Sequence, residues 1–324
     1  MYNPPFSISS KAINLIAKIS AQIERYAIRM EQSDSLKLRK ANRIKTIHSS
    51  LAIEGNNLSE GEVMAILDGK NVIAPQKEIL EVRNAIKTYE LYSTLNPFSI
   101  EDMLKAHLTM MSGLVDDAGM FRRRGVGVFD GTTAVHIAPP AERVKDLMND
   151  LFIWLENSED HLLIRSCVFH YEFEFIHPFA DGNGRIGRLW QSLILGKLNP
   201  LFEHLPVENM VYANQQAYYD AITQSSAKGD SQPFIDFMLQ EILNALEDHK
   251  GQTVDEIGEV NSLSENEIKI LGLIRSDRHM SAKRLAEEIG ASPRQVERIL
   301  AGLKERSIIR RVGANRNGYW EVIG

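Results

Sequence analysis

This chain of 324 residues is narrowed first by what it lacks. It has one cysteine, Cys167, so no internal disulfide can form, which suits a reducing compartment. Cys167 falls in a dense apolar segment and reads as a buried thiol. No run of about 18 apolar residues exists, so no membrane-spanning helix is expected. The first ten residues lack a basic stretch followed by an apolar one, so no secretory signal is expected, and the expected location is the cytoplasm. Positive charge is not in excess: 37 Lys+Arg stand against 43 Asp+Glu, a net charge of −6, which argues against a chain coated in nucleic acid. No G-x-x-x-x-G-K-[ST] occurs, so there is no P-loop. The composition that remains, 44% hydrophobic and 25% charged, is ordinary for a globular protein, and the length suffices for two domains.

What is present is concentrated at 177–188, His177-Pro178-Phe179-Ala180-Asp181-Gly182-Asn183-Gly184-Arg185-Ile186-Gly187-Arg188. Apolar segments flank it at 162–176 and 189–195, so it reads as a helix–loop–helix turn. No strand precedes it, so it is not a dinucleotide-binding fingerprint. Gly182 and Gly184 let backbone N–H groups converge on one point, and such a nest at a helix N-terminus binds phosphate. Arg185 and Arg188 fall in the first turn of the following helix, where cations are unfavourable, so each needs an anion. Asp181 is a hard oxygen ligand suited to Mg²⁺ brought by a nucleotide. His177 is the side chain here suited to general-base work near neutral pH.

This stretch resembles the Fic-family signature H-P-F-x-[D/E]-G-N-G-R-x-x-R and matches it at every fixed position. The resemblance implies a mainly α fold: a Fic-type helical bundle with a small β-hairpin flap. It implies transfer of AMP from ATP to a hydroxyl side chain of a target protein. His177 would deprotonate the target Ser, Thr or Tyr. Asp181 would hold Mg²⁺. Gly182, Asn183, Gly184 and Arg185 would hold the phosphates, with Ile186 and Gly187 beside them, and Arg188 would take the γ-phosphate.

A second pattern lies upstream. Ser50-Leu51-Ala52-Ile53-Glu54-Gly55 closes a helix expected over 36–53, where a carboxylate faces the negative end of the dipole and wants a cation. It resembles the family's inhibitory motif [S/T]-x-x-x-E-[G/N]. By that resemblance Glu54 pairs with Arg188 and keeps it from the γ-phosphate, with Ser50 in the same motif.

Further along, 126–131 and 133–137 alternate around Asp130-Gly131 as a hairpin. The resemblance makes this a flap that aligns a target by strand addition, with Val126, Gly127, Val128 and Phe129 beside the nucleotide. Arg122, Arg123 and Arg124 before it read as a solvated charge run. Lone histidines His107 and His170 are assigned no catalytic role, His170 being read as a core residue. Helices are expected at 10–30, 78–94, 99–114, 140–157, 160–176, 212–225 and 233–246. Tyr218 and Tyr219 resemble a family tyrosine pair near the adenine. Ser226, however, stands where some relatives carry Asn.

Past a polar linker at 247–261 the texture changes to three short helices and two strands, the element order of a winged helix-turn-helix. Residues 261–324 carry 12 Lys+Arg against 8 Asp+Glu, while the rest carries 25 against 35. A basic appendage on an acidic body suggests DNA as a partner through 262–324, with Arg294, Gln295 and Arg298 facing the groove. The expected organisation is therefore an N-terminal helical region 1–95 with the inhibitory helix, a catalytic core 96–246, the linker, and a winged helix 262–324. The expected partners are a hydroxyl-bearing protein, the chain itself as substrate, DNA and a second copy in a homodimer; no membrane is expected. The rival readings are removal of AMP from a modified protein, transfer of another phosphate-linked group, and a DNA-binding regulator whose Fic domain is silent.

Overall fold

The computed structural model describes all residues except 1, 33–34, 126, 131–132, 249–264, 277, 279, 290–291, 306–308, 313–318 and 323–324. The chain forms two compact units, residues 1–251 and 252–324.

The first unit is built on the pair α7 (Leu162–Ile176) and α8 (Asn183–Leu198), joined by the 177–182 loop. A helix apolar all round must be buried all round. In α7, Leu163, Ile164, Cys167, Val168, Phe169, Phe173 and Ile176 are all inaccessible, as is His170. The burial of Cys167 raises its thiol pKa to about 12, so it is an inert core thiol. Around this pair lie α1 (Ser10–Gln32), α2 (Ser35–Ile53), α3 (Glu60–Leu67), α4 (Gln76–Glu90), α5 (Ile100–Met111) and α6 (Ala141–Asn157), followed after α8 by α9 (Val207–Ala213), α10 (Gln215–Lys228) and α11 (Gln232–Asp248). One hydrophobic core runs from Ala12 to Leu246, so 1–95 and 96–246 share a single interior. No described helix is long and apolar enough to cross a membrane.

Local chemistry sets the helix ends. Ser59 and Glu62 form a reciprocal capping box that starts α3. The Ser99 side chain accepts from the Asp102 N–H at the start of α5. At the end of α2, Gly55 turns left-handed (φ +87°) and Asn56 N–H returns to the Leu51 carbonyl at 3.1 Å. That closure fixes Glu54 one residue past the helix. Three expected helices differ in extent. The one expected over 78–94 stops at Glu90 and passes into a 3₁₀ turn at Tyr92–Thr94. The one expected to reach 114 stops at Met111. The helix expected over 212–225 is broken at Asn214, whose ψ of 33° is non-helical, leaving α9 and α10 as separate pieces.

β1 (Gly127–Asp130) and β2 (Thr133–Ile137) form the expected antiparallel hairpin, pairing Gly127 with Ile137 and Asp130 with Thr133. The register shifts between Val128 and Phe129, a bulge that bends the ribbon. Val126, expected with this strand, lies outside the described residues.

In the second unit, helices Glu265–Ser276, Ala282–Ile289 and Pro293–Glu305 precede strands β3 (Ile309–Val312) and β4 (Tyr319–Val322), which pair antiparallel. Its own core is Ile270, Ile274, Leu285, Val296, Leu300, Leu303 and Ile309. The Ser292 hydroxyl accepts from Gln295 N–H ahead of Pro293, a cap with proline at the first helical position.

Buried titratable groups give this fold a pH response. Burial, its largest cause, raises Glu172, Glu174 and Glu208 to about 7, 8 and 7. Burial lowers His170 to about 3 and His204 to about 4. The folded chain therefore holds carboxyl protons that the unfolded chain has lost above its ordinary value, and this stability disappears as pH rises through about 7–8. The histidines act oppositely, but only below their unfolded value of about 6.5. The thermal midpoint is thus expected to fall between about pH 6.5 and 8. A midpoint that rises across that window in a pH series of melting curves would contradict these assignments.

Candidate active site

The site is the loop between α7 and α8, and its shape begins with His177. This residue caps α7 in the left-handed region (φ 51°, ψ 61°), the one described non-glycine residue there. Such a conformation costs about 1–3 kcal/mol and must be held by its surroundings. Arg122 holds it. Its Nε donates to the His177 carbonyl at 2.7 Å, and Nη2 donates to the carbonyls of Pro139 at 2.6 Å and Ile176 at 3.2 Å. Nη1 donates to the Arg124 carbonyl at 3.0 Å, and Arg122 N–H donates to the Pro178 carbonyl at 2.9 Å. Arg122 is therefore buried, not part of a solvated run as expected; only Arg123 and Arg124 are exposed.

His107 supports the other side of the loop. Gly119 N–H donates to Nδ1 at 2.8 Å, so Nε2 carries the proton and donates to the Asp181 carbonyl at 2.9 Å. The ring stacks on Phe179 with centroids 3.7 Å apart and planes 6° from parallel. Burial, the largest influence, lowers its pKa and keeps it neutral. No periodicity distinguishes His107 from any other helical histidine, so only the tertiary structure shows what it does.

Asn183, expected at the phosphates, closes the loop on itself through its side chain. Its side chain is buried, accepting from Phe179 N–H at 2.9 Å and donating to the Phe179 carbonyl at 2.8 Å. Gly182 takes φ +85°, and a Cβ there would sit 2.7 Å from Met111 Sδ. Gly184 is needed for a different reason. It lies within α8, and a Cβ would collide with the Glu54 carboxylate and lie 2.9 Å from Arg188 Nη1. The loop opens to solvent at Ala180 and Asp181, whereas Gly182 and Asn183 are buried and Gly184 is half-buried; N–H groups at the start of a helix and the helix dipole favour negative charge there.

The charged residues around this opening are paired. Arg185 Nη2 donates to Asp181 Oδ1 at 3.1 Å, and that oxygen also accepts from Gly182 N–H at 2.6 Å. The Asp181 side chain is 52% exposed, so its carboxylate remains reachable. Among the described residues no group of three His, Cys, Asp or Glu could enclose a metal ion. Asp181 thus fits Mg²⁺ only in the manner of a single carboxylate beside substrate phosphates, which supply the remaining oxygens.

Arg188 is buried and held by α2. Its Nη2 donates to Glu54 Oε1 at 2.7 Å and to the Ser50 carbonyl at 2.9 Å, and its Nε donates to Ser50 Oγ at 3.2 Å. Burial, the largest single influence, would lower the guanidinium pKa, but Glu54, Tyr218 and Glu174 together outweigh it and the net direction is upward. The two residues expected to need opposite charges therefore meet each other.

The expected tyrosine pair is split. Tyr218 is buried, with its hydroxyl 3.1 Å from His170 Nε2, whereas Tyr219 is 44% exposed. Tyr218 is thus committed to the core, and the exposed Tyr219 ring packs edge-on against it with centroids 5.3 Å apart. His170 Nδ1 donates to Gln191 Oε1 at 2.6 Å, so its Nε2 accepts from Tyr218 and both nitrogens are used, as expected of a core histidine.

Comparison with known proteins agrees with this geometry. A Fic/DOC family profile matches residues 97–195, which include the whole 177–188 loop. The crystal structure of a Fic family protein from Desulfovibrio desulfuricans G20 superposes with a TM-score of 0.74 at 40% identity, covering 100% of this chain and 99% of that one. Fic-1 from C. elegans superposes with a TM-score of 0.58 at 21% identity, over 74% of this chain and 72% of that one, a likeness of fold. The protein adenylyltransferase fic-1 of Caenorhabditis briggsae is 30% identical over 253 residues, 71% of this chain and 47% of that protein. Its Caenorhabditis elegans counterpart is 33% identical over 205 residues, 59% of this chain and 38% of that protein. The chain thus spans less than half the length of these curated relatives. With an end-to-end likeness at 40% identity to the Desulfovibrio protein, and with the family profile spanning the loop between α7 and α8, the chain belongs to the Fic family.

Proposed function

We propose that this chain is a protein adenylyltransferase that moves AMP from ATP to a Ser, Thr or Tyr hydroxyl of a target protein, and that Glu54 holds it off. The observation that carries this reading is the Glu54–Arg188 ion pair, which places a carboxylate against Gly184 where the terminal phosphate of a nucleotide seated in the nest would otherwise meet the guanidinium. The relatives named protein adenylyltransferase support the reaction class.

The chemistry follows from the residues. His177 removes the proton from the target hydroxyl, whose oxygen attacks the α-phosphorus in line as the bond to pyrophosphate breaks. The nest N–H groups, Arg185 and, once released, Arg188 stabilise the negative charge on the phosphates. Mg²⁺, with Asp181 as its protein ligand, would neutralise charge on the α- and β-phosphates. The β1–β2 hairpin offers a strand edge to which an extended target segment, from another protein or this chain, can add.

His177→Ala in a Glu54→Gly background is expected to abolish incorporation from α-labelled ATP, by about 10²-fold or more, while ATP still binds. Retained incorporation would remove His177 from the role of base.

For the second unit the proposal is DNA binding. Gln295 and Arg298 are exposed on helix Pro293–Glu305, in a unit richer in Lys and Arg than in Asp and Glu. A mobility shift with genomic fragments that depends on Arg298 tests it.

A further inference from the structure

One buried acid beside the loop has no part in the reaction described above. Glu174 lies one helical turn before His177 on α7, and its Oε2 is 4.0 Å from His177 Nδ1. Its Oε1 is 3.9 Å from His170 Nε2, is buried and accepts no hydrogen bond among the described residues. His170 cannot serve it, because one nitrogen donates to Gln191 and the other accepts from Tyr218. The carboxyl group is therefore left with His177 as its histidine partner. Space for it is deliberate in the packing. A Cβ on Gly187 of α8 would lie 2.8 Å from Glu174 Oε1, so glycine there is what admits the carboxyl between the helices.

We propose, on the adenylyltransferase reading, that Glu174 is the positioning residue for His177: it accepts a hydrogen bond from Nδ1–H, which keeps Nε2 unprotonated as the base, and stabilises the imidazolium formed when the target hydroxyl is deprotonated. A separation of 4.0 Å is longer than a hydrogen bond, and catalytic contacts commonly shorten when substrate is bound. The charged and titratable groups facing Glu174 are His170 of α7, His177 that caps it, Arg188 of α8, Tyr218 and Tyr219 of α10, and Glu54. Burial is the largest influence on the carboxyl and raises its pKa; Arg188 lowers it and Glu54 raises it again. Departure of Glu54 removes one raising influence while burial, the largest, remains, so the pairing strengthens as pH rises through the carboxyl's value of about 8.

The test uses the full chain carrying Glu54→Gly. Glu174→Gln in that background is expected to lower kcat about 10-fold or more with KM for ATP within about two-fold. It should also move the acid limb of the kcat/KM profile to lower pH by about half a unit or more, since a neutral partner no longer favours the imidazolium. Glu174→Asp should recover part of both effects. An unmoved limb, whether kcat holds or falls together with the melting temperature, overturns the proposal. The Glu54→Gly protein also offers a readout without any change at Glu174. Histidine ¹H–¹⁵N correlation should show His177 protonated at Nδ1, the signal being assigned by its loss in His177→Ala, and an Nε2–H tautomer overturns the proposal. If the Glu54→Gly protein transfers no AMP, the adenylyltransferase reading fails separately, and the tautomer still reports on the pairing.

Discussion

Replacing Glu54 with glycine is expected to raise incorporation from α-labelled ATP, self-labelling included, by about 10-fold or more, and to make the protein without nucleotide less stable. Both effects come from Arg188. Its side chain is 3% exposed, and Glu54 is the one carboxylate within ion-pair distance of it among the described residues. Removing one partner of such a pair leaves an uncompensated buried charge, which costs about 3–5 kcal/mol when both groups are fully buried. Glu54 is 31% exposed, so about half that range is the better expectation. The Ser50 carbonyl and hydroxyl still accept from the guanidinium, so Arg188 stays oriented. Glycine also fits the site: Glu54 lies just beyond α2, and the turn at Gly55 does not use its side chain. The thermal midpoint should therefore drop by roughly 3–8 °C. ATP, whose terminal phosphate replaces the lost carboxylate, should restore more of it in the variant than in the parent. Equal labelling by parent and variant with ATP bound would mean that Glu54 is not the inhibitory element. Glu54→Gln should lie between them, since it keeps the shape and removes the charge.

How much of this could be read beforehand depended on whether an interaction was local in sequence. The glycines, His177, Asp181 and the arginines fall within twelve consecutive positions, so the chemistry proposed for them is visible as a set. Glu54 was legible for a different reason. A carboxylate at a helix C-terminus and an arginine at a helix N-terminus each oppose their own dipole, and both imbalances can be seen without knowing that α2 and α8 meet. Residues whose work is to hold backbone in place gave no such signal. Asn183 sits inside the signature, and its two bonds to Phe179 cannot be read from that position. His107 became informative only when the turn at Gly119 came back against it. The break at Asn214 leaves no mark in the sequence because the apolar pattern continues across it, and α9 packs against α2 and α11 as a separate piece. Tyr218 and Tyr219 touch edge-on, yet only Tyr218 reaches into the core, so one is buried and the other exposed.

Arg122 is the largest of these hidden contributions, and Arg122→Ala is expected to cut transfer in the Glu54→Gly background by about 10²-fold. Its guanidinium satisfies the carbonyls of Arg124, Pro139, Ile176 and His177 together, tying the end of α7 to the segments on either side of the hairpin. Alanine would leave some of these acceptors buried without donors, at about 1–3 kcal/mol for each that water cannot reach. Because the loop edge can admit some water, a net loss of about 2–4 kcal/mol is the better expectation, seen as a fall of roughly 5–10 °C in the thermal midpoint. The larger effect is on rate. The left-handed conformation at His177 is unfavourable, and with the Arg122 contact gone the residue can relax toward ordinary backbone angles. A shift of about 1 Å in a catalytic group is enough to cost about 10²-fold. Arg122→Lys separates the two contributions. Lysine keeps the charge, but its single ammonium cannot reach four carbonyls from a planar fork, so the rate should remain low even where much of the stability returns. If Arg122→Ala transfers AMP at the rate of its parent, the left-handed His177 is held by the loop itself, and the guanidinium serves only to join α7 to its neighbours.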